Sequence, residues 1–158
     1  MIPTIASHLP VLARLVKHGD RVLEFGCGIA STPFLLSKCA AVVSIEMQSR
    51  EWFEYVSGLF ADNPRSERHY AEGATRALSY IEALARLSRR FDVVLVDGHG
   101  ESRPEQVRMA TMITDVIVCH DTQEPGYRWD KVRPLLGWNW TDEHTGTART
   151  SVLRRNGT

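Results

Sequence analysis

The apolar positions of this chain follow two rhythms that alternate from end to end. Ile5, Leu9, Leu12, Leu15 and Val16 recur every three to four residues ahead of His18-Gly19-Asp20, which predicts an amphipathic helix stopped by a glycine. Arg21–Phe25 is a compact apolar run and predicts a strand. Pro33 then falls in the first turn of a helix, where its missing N–H costs nothing, and Phe34, Leu35 and Leu36 supply a face to bury. Val42–Glu46 predicts a second strand. Ser49–Phe60 predicts a helix carrying Trp52, Phe53, Tyr55, Val56 and Leu59, a stripe expected to face the core, and Asn63-Pro64 ends it. A weaker strand over Arg68–Ala71, a helix over Ala74–Leu87, a strand over Phe91–Val96, a helix over Gln106–Ile113 and a strand over Val116–Cys119 follow.

Strands alternating with helices imply an α/β domain with a parallel, helix-covered sheet. The closing runs, Trp138–Asp142 and Thr147–Arg154, are joined by His144-Thr145-Gly146, too short for a crossover helix, and are expected to pair as an antiparallel hairpin. A chain of 158 residues fits one domain over its whole length and can bury about two thirds of its unfolded surface. No repeat, linker or low-complexity tract interrupts it.

Charge narrows the partners. Lys plus Arg and Asp plus Glu both total 19, so there is no basic excess pointing to nucleic acid. No secretory leader is visible and no apolar stretch approaches the roughly 20 residues that span a bilayer, so a cytoplasmic protein away from membranes is expected. Cys27, Cys39 and Cys119 are odd in number and lack paired spacing, which argues against a disulfide framework or zinc site and for small buried side chains.

The chemistry concentrates at the strand ends. Val22-Leu23-Glu24-Phe25-Gly26-Cys27-Gly28 is a strand feeding a G-x-G turn, where glycines let backbone approach a ligand and the next helix offers unpaired N–H groups. A dinucleotide brings a pyrophosphate to such a turn, and Glu24 would repel it by about 1 kcal/mol at 4 Å even at the dielectric of water. S-adenosylmethionine (SAM) brings positive charge instead, and Ser31 stands where the third glycine of a dinucleotide fingerprint belongs. Glu46, 18 residues after Gly28, suits a ribose, which both cofactors carry. Asp97 ends the fourth strand, and His120-Asp121 ends the fifth. Ligands sit beyond these carboxyl ends in open α/β sheets. His120 and His99 are the candidate bases, since imidazole titrates near neutrality, and Asp121 stands beside the first.

In this order the motifs resemble the class I SAM-dependent methyltransferases, on Val22–Gly28, Val43–Glu46, Phe91–Gly98 and Val116–Asp121. The subgroup most similar pairs a Ser-Thr turn with Val-Asp-Gly and His-Asp, here Ile29–Thr32, Val96–Gly98 and His120-Asp121. The resemblance implies a Rossmann-like fold: a mostly parallel seven-stranded sheet with an antiparallel last strand and helices on both faces. It implies SAM as cofactor and S-adenosylhomocysteine (SAH) as product. Glu24, Gly26, Cys27 and Gly28 would line the methionine end with Ser31 and Thr32 nearby, Glu46 and Met47 the ribose, Glu72 or Ala74 the adenine, and Asp97 the same edge. Catechol-type members bind Mg²⁺ through acids at the positions of Asp97 and Asp121, but Thr122 replaces their asparagine, so a metal is not expected.

The implied reaction is transfer of a methyl group to a small molecule, chiefly to oxygen, by in-line displacement with a His/Asp base. Acceptor contacts would come from His8, the loop Gly100–Glu105 and the segment Gln123–Asp130, where Tyr127, Arg128 and Trp129 would stack on a planar or anionic molecule, pack internally or form a homodimer contact. The rival readings are an NAD-dependent oxidoreductase domain, a non-catalytic binding module of the same fold, and aminopropyl transfer from the same cofactor.

Overall fold

A computed structural model describes residues 6–144 and 148–158. Ile5 and the residues Thr145, Gly146 and Thr147 of the closing connection lie outside the described residues. In chain order the elements are α1 (Leu9–Leu15), β1 (Arg21–Phe25), α2 (Ser31–Lys38), β2 (Ala41–Glu46), α3 (Arg50–Leu59), β3 (Ser66–Tyr70) and α4 (Gly73–Arg86). They continue with β4 (Val93–Val96), α5 (Arg103–Ala110), β5 (Val116–His120), β6 (Trp138–His144) and β7 (Thr150–Arg155).

The strands form one seven-stranded sheet in the order β3-β2-β1-β4-β5-β7-β6. Pairing is parallel from β3 across to β5 and antiparallel at β5–β7 and β7–β6. Strand order reverses between β1 and β4, so a crevice opens beyond their carboxyl ends. Side-chain alternation splits the core in two. Leu23, Phe25, Val94 and Val96 bury against Ala77 and Ile81 of α4 and Val107 and Ala110 of α5. Val22, Val93 and Leu95 bury on the other face against Val11 and Leu12 of α1 and Leu35 and Leu36 of α2.

Three differences from the sequence reading bear on function. The α3 stripe does not face the core: only Val56 is buried, while Trp52 is 37% exposed, Tyr55 57% and Leu59 52%. Helix α5 begins at Arg103 with Pro104 in its first turn, three residues earlier than the apolar pattern indicates, and this turns the expected substrate loop into packed structure. Strand β4 begins at Val93, because the Asp92 carboxylate accepts from the Arg21 N–H at 2.7 Å and ties the strand entrance to β1.

Candidate active site

The glycine turn after β1 is built around two buried acids. Gly26 has φ +81° and lies so close to the loop after β4 that a Cβ would stand 2.7 Å from the Asp97 carbonyl oxygen. Only glycine meets both conditions. Glu46 Oε1 accepts from the N–H groups of Met47 at 3.0 Å, Gln48 at 2.8 Å and Ser49 at 3.4 Å, which bends the chain after β2. The Cys27 thiol lies against Glu46 Oε2 at 3.7 Å, and the Trp52 indole N–H donates to the Cys27 carbonyl at 2.7 Å. Gly26, Cys27, Gly28, Ser31, Glu46 and Trp52 all line one cavity of about 300 Å³, with His8 and Asp97 on its wall.

Glu24 lies beneath that cavity rather than on its wall. It is fully buried and accepts from the Thr32 and Ser44 hydroxyls, each at 2.6 Å, while Oε2 has no partner among the described residues. Burial pushes its carboxyl up to about 7 against the opposing pull of those hydroxyl hydrogen bonds. Thr32 is also internal, its hydroxyl accepting from the Gly28 N–H at 3.0 Å. Met47 is buried as well and takes hydrogen bonds on sulfur from Gln106 Nε2 at 3.3 Å and Ser102 Oγ at 3.9 Å. Glu72 is exposed just ahead of α4, away from the cavity wall, and the Ala74 side chain lies outside the described residues.

Across the crevice, the ends of β4 and β5 carry a connected polar chain. His120 is buried, its Nδ1 lies 3.0 Å from Asp97 Oδ1, and its Nε2 lies 2.8 Å from the Ser7 hydroxyl. In the tautomer that donates Nδ1–H to the carboxylate, Nε2 accepts from Ser7. Asp121, with φ +56°, ends the strand and sets its carboxylate 3.6 Å from the same Nδ1. Asp97, expected on the cofactor side, is thus the nearer partner of the imidazole. Burial alone would raise the Asp97 carboxyl. The His120 hydrogen bond and the charges of His120 and Arg103 together hold it below the ordinary carboxylate range. His8 stands edge-on to His120 with centroids 4.6 Å apart, and burial lowers its imidazole to about 4, so the ring is neutral at physiological pH. His99 is not part of this chain: its carbonyl accepts from Ser102 and Gln106, and its ring does not line the cavity.

Arg103, which the sequence reading did not single out, ties the cluster together. Its Nε donates to the Gly98 carbonyl at 3.1 Å and Nη1 to the His120 carbonyl at 2.6 Å. Its Nη2 reaches Asp97 Oδ1 at 3.3 Å and approaches Asp121 Oδ2 at 3.9 Å. The Tyr127 ring stacks 4.2 Å from the guanidinium, and Trp129 is buried with its indole N–H donating to the Asp121 carbonyl at 3.1 Å. Those two aromatics therefore pack against the cluster, and Trp129 also lines a second cavity with Thr122, Arg133 and Arg149. Arg103 also bears on Mg²⁺: its guanidinium supplies positive charge between Asp97 and Asp121, and the Thr122 hydroxyl is engaged with Ser151 at 2.7 Å. The two-acid Mg²⁺ set is not reproduced. The only sequence signal for Arg103 was a charged residue in a polar stretch, indistinguishable from a solvated surface arginine.

No family model matches the sequence, and no curated protein matches it. Solved structures match its fold. The O-methyltransferase from Bacillus cereus in complex with SAH is 16% identical, over 98% of this chain and 82% of that one, with a TM-score of 0.75. The O-methyltransferase TomG from Streptomyces achromogenes, involved in tomaymycin synthesis and in complex with SAM, is 23% identical, over 99% and 82%, with a TM-score of 0.74. An rRNA methylase from Streptococcus thermophilus is 14% identical, over 98% of each chain, with a TM-score of 0.65. The seven-stranded sheet with its antiparallel β7 is thus the Rossmann-like fold of methyltransferases. Among the described residues no helix is long and apolar enough to cross a membrane.

Proposed function

We propose, from this fold and the two halves of its crevice, that the chain is a SAM-dependent methyltransferase acting on the oxygen of a small molecule. The observation that carries the reading is the position of His120, whose Nδ1 is held by Asp97 at 3.0 Å so that Nε2 is turned toward a hydroxyl, that of Ser7 at 2.8 Å. An acceptor hydroxyl that replaced Ser7 there would meet an oriented base. The turn supports the cofactor half: Gly26, Gly28, Glu46 and Trp52 line one cavity in which Glu46 would hold the ribose and Trp52 would form an outer wall. When bound, SAM supplies an electrophilic methyl group for in-line displacement. The protein's tasks are then to align the acceptor, exclude water and take its proton. Asp97 holds the imidazole at Nδ1, Arg103 braces that carboxylate and the His120 backbone, and the His8 ring stands edge-on against the imidazole. Solved neighbours in complex with SAH and SAM, both O-methyltransferases, favour the same cofactor and acceptor atom.

The test is calorimetric titration of the cofactor-stripped chain with SAM, SAH and NAD, followed by a labelled-methyl assay against phenols, carboxylates and amines. Micromolar binding of SAM and SAH with label transferred to oxygen is the expected result. Binding of NAD alone, or of nothing, overturns the reading. Cofactor binding with no transfer to any acceptor class assigns the chain to the non-catalytic module.

A further inference from the structure

His8 poses a question that methyl transfer does not answer. It is 1% exposed, on the wall of the cavity, and both ring nitrogens lack a hydrogen-bond partner among the described residues. Buried polar atoms nearly always have a hydrogen-bond partner, so two orphaned ring nitrogens on a cavity wall need an explanation. One donor atom each from His8, Asp97 and His120 lies within 4.8 Å of the others. We propose that His8, Asp97 and His120 form a site for a divalent transition-metal ion of the Zn²⁺ or Co²⁺ type, distinct from the two-acid Mg²⁺ set.

A tetrahedral ion bonded at about 2.1 Å to each ligand holds its donors roughly 3.4 Å apart. Asp97 Oδ1 and His120 Nδ1, at 3.0 Å, stand within about 0.4 Å of that spacing, and with the three donor atoms within 4.8 Å of one another His8 closes the set by moving no more than about 1.4 Å. The outer partners are in place too. A ligating imidazole donates its other N–H to an acceptor, and the Ser7 hydroxyl sits 2.8 Å from His120 Nε2. Because a hydroxyl both donates and accepts, Ser7 keeps its contact when the imidazole proton moves from Nδ1 to Nε2 and frees Nδ1 for the ion. Arg103 braces the ligating carboxylate at 3.3 Å. That guanidinium also selects the metal. One carboxylate against a dication beside an arginine disfavours Mg²⁺ or Ca²⁺, which bind oxygen electrostatically, whereas two imidazoles suit the borderline ions. His8 and Asp97 both line the cavity, so further ligands would reach the ion from it.

Occupancy has one consequence that rests on the methyltransferase reading: a metal-bound His120 donates from Nε2 and is no longer a base, so Zn²⁺ inhibits transfer. The site itself stands without that reading, and its test does not use activity. The chelator-stripped full chain is titrated with Co²⁺ by visible absorption and with Zn²⁺ by calorimetry. One ion per chain is expected, unchallenged by excess Mg²⁺, with affinity at least tenfold weaker in both His8→Ala and His8→Gln, whose folding is checked by circular dichroism. In the unmodified chain, paramagnetic Co²⁺ should displace the ring-proton resonances of His8 and His120 and leave those of His18 and His69 in place, a readout independent of any variant. No binding at millimolar Co²⁺ or Zn²⁺, binding unchanged by either His8 substitution, or binding lost in Asp121→Asn but kept in His8→Ala would each overturn the proposal.

Discussion

Glu24 closes β1 and Asp97 follows β4, on strands paired side by side, yet the chain manages their charges in opposite ways. Glu24 is surrounded by neutral donors, the Thr32 and Ser44 hydroxyls, and burial brings its carboxyl up to about 7. Asp97 is half-buried between the Arg103 guanidinium and the His120 ring N–H, and these partners hold its carboxyl below the ordinary range. The difference separates two jobs. An acid near its ionisation point beneath the glycine turn anchors that turn through hydroxyls. An acid that is charged throughout can orient an imidazole and stabilise its positive form, which a neutral carboxyl cannot do.

The sharpest way to break the comparison is to remove the imidazole. His120→Gln should lower methyl transfer by about 10²–10⁴-fold, the range of general-base contributions, while SAM affinity measured by calorimetry stays unchanged. A fall in affinity without a fall in turnover would put His120 in the cofactor half. Next in size is Arg103→Met, which should convert Asp97 into a second Glu24. With its guanidinium gone the half-buried carboxylate loses its cationic brace, and stability to urea should drop by about 1.5–3 kcal/mol. The Asp97 carboxyl resonance should then titrate at higher pH. Unchanged stability would mean that the guanidinium's cost of burial cancels its attraction for the two acids.

Glu24→Gln tests the other side. A carboxyl whose native value is raised from 4.5 to about 7 favours the folded state fully below pH 4.5, and that advantage is lost as pH rises to about 7. At 1.36 kcal/mol per unit, the wild-type chain should lose about 2–3 kcal/mol relative to Glu24→Gln between pH 4.5 and 8. Two parallel stability curves over that interval would show that Glu24 is ionised at no net cost.

The two halves were unequally legible in the sequence. The glycine turn is local: Gly26, Gly28, Ser31 and Glu46 follow from spacing along one β-α-β unit, and all four line the cavity. The strand pattern located β1 to the residue, because a short run of Val22, Leu23 and Phe25 between a glycine stop and a glycine turn has one interpretation. The base cluster is assembled from distant segments, with Ser7 and His120 separated by 113 residues, and no period records that contact. Arg103 was hidden because its burial is decided by Tyr127 stacking over it. The α3 stripe misled for a related reason. Helical spacing reports a shared face but not what that face meets, and here Trp52 turns to the cavity rim while Tyr55 and Leu59 turn to solvent.

Trp52 gives the smallest and most discriminating prediction. Its indole donates to the Cys27 carbonyl at 2.7 Å, so it holds the glycine turn from outside and forms a wall of the cavity, yet among the described residues it has no hydrogen bond to the His120–Asp97–Arg103 cluster. Losing one hydrogen bond and part of an aromatic wall costs about 1–1.5 kcal/mol, or roughly tenfold in cofactor affinity. Trp52→Ala should therefore raise KM for SAM about tenfold and leave kcat at saturating SAM unchanged. Tyr55→Ala, one turn along the same exposed face and away from the cavity wall, should change neither. If Trp52→Ala depressed kcat as well, the turn and the base cluster would be mechanically coupled, through the contact of Gly26 with the Asp97 backbone that excludes any larger residue there.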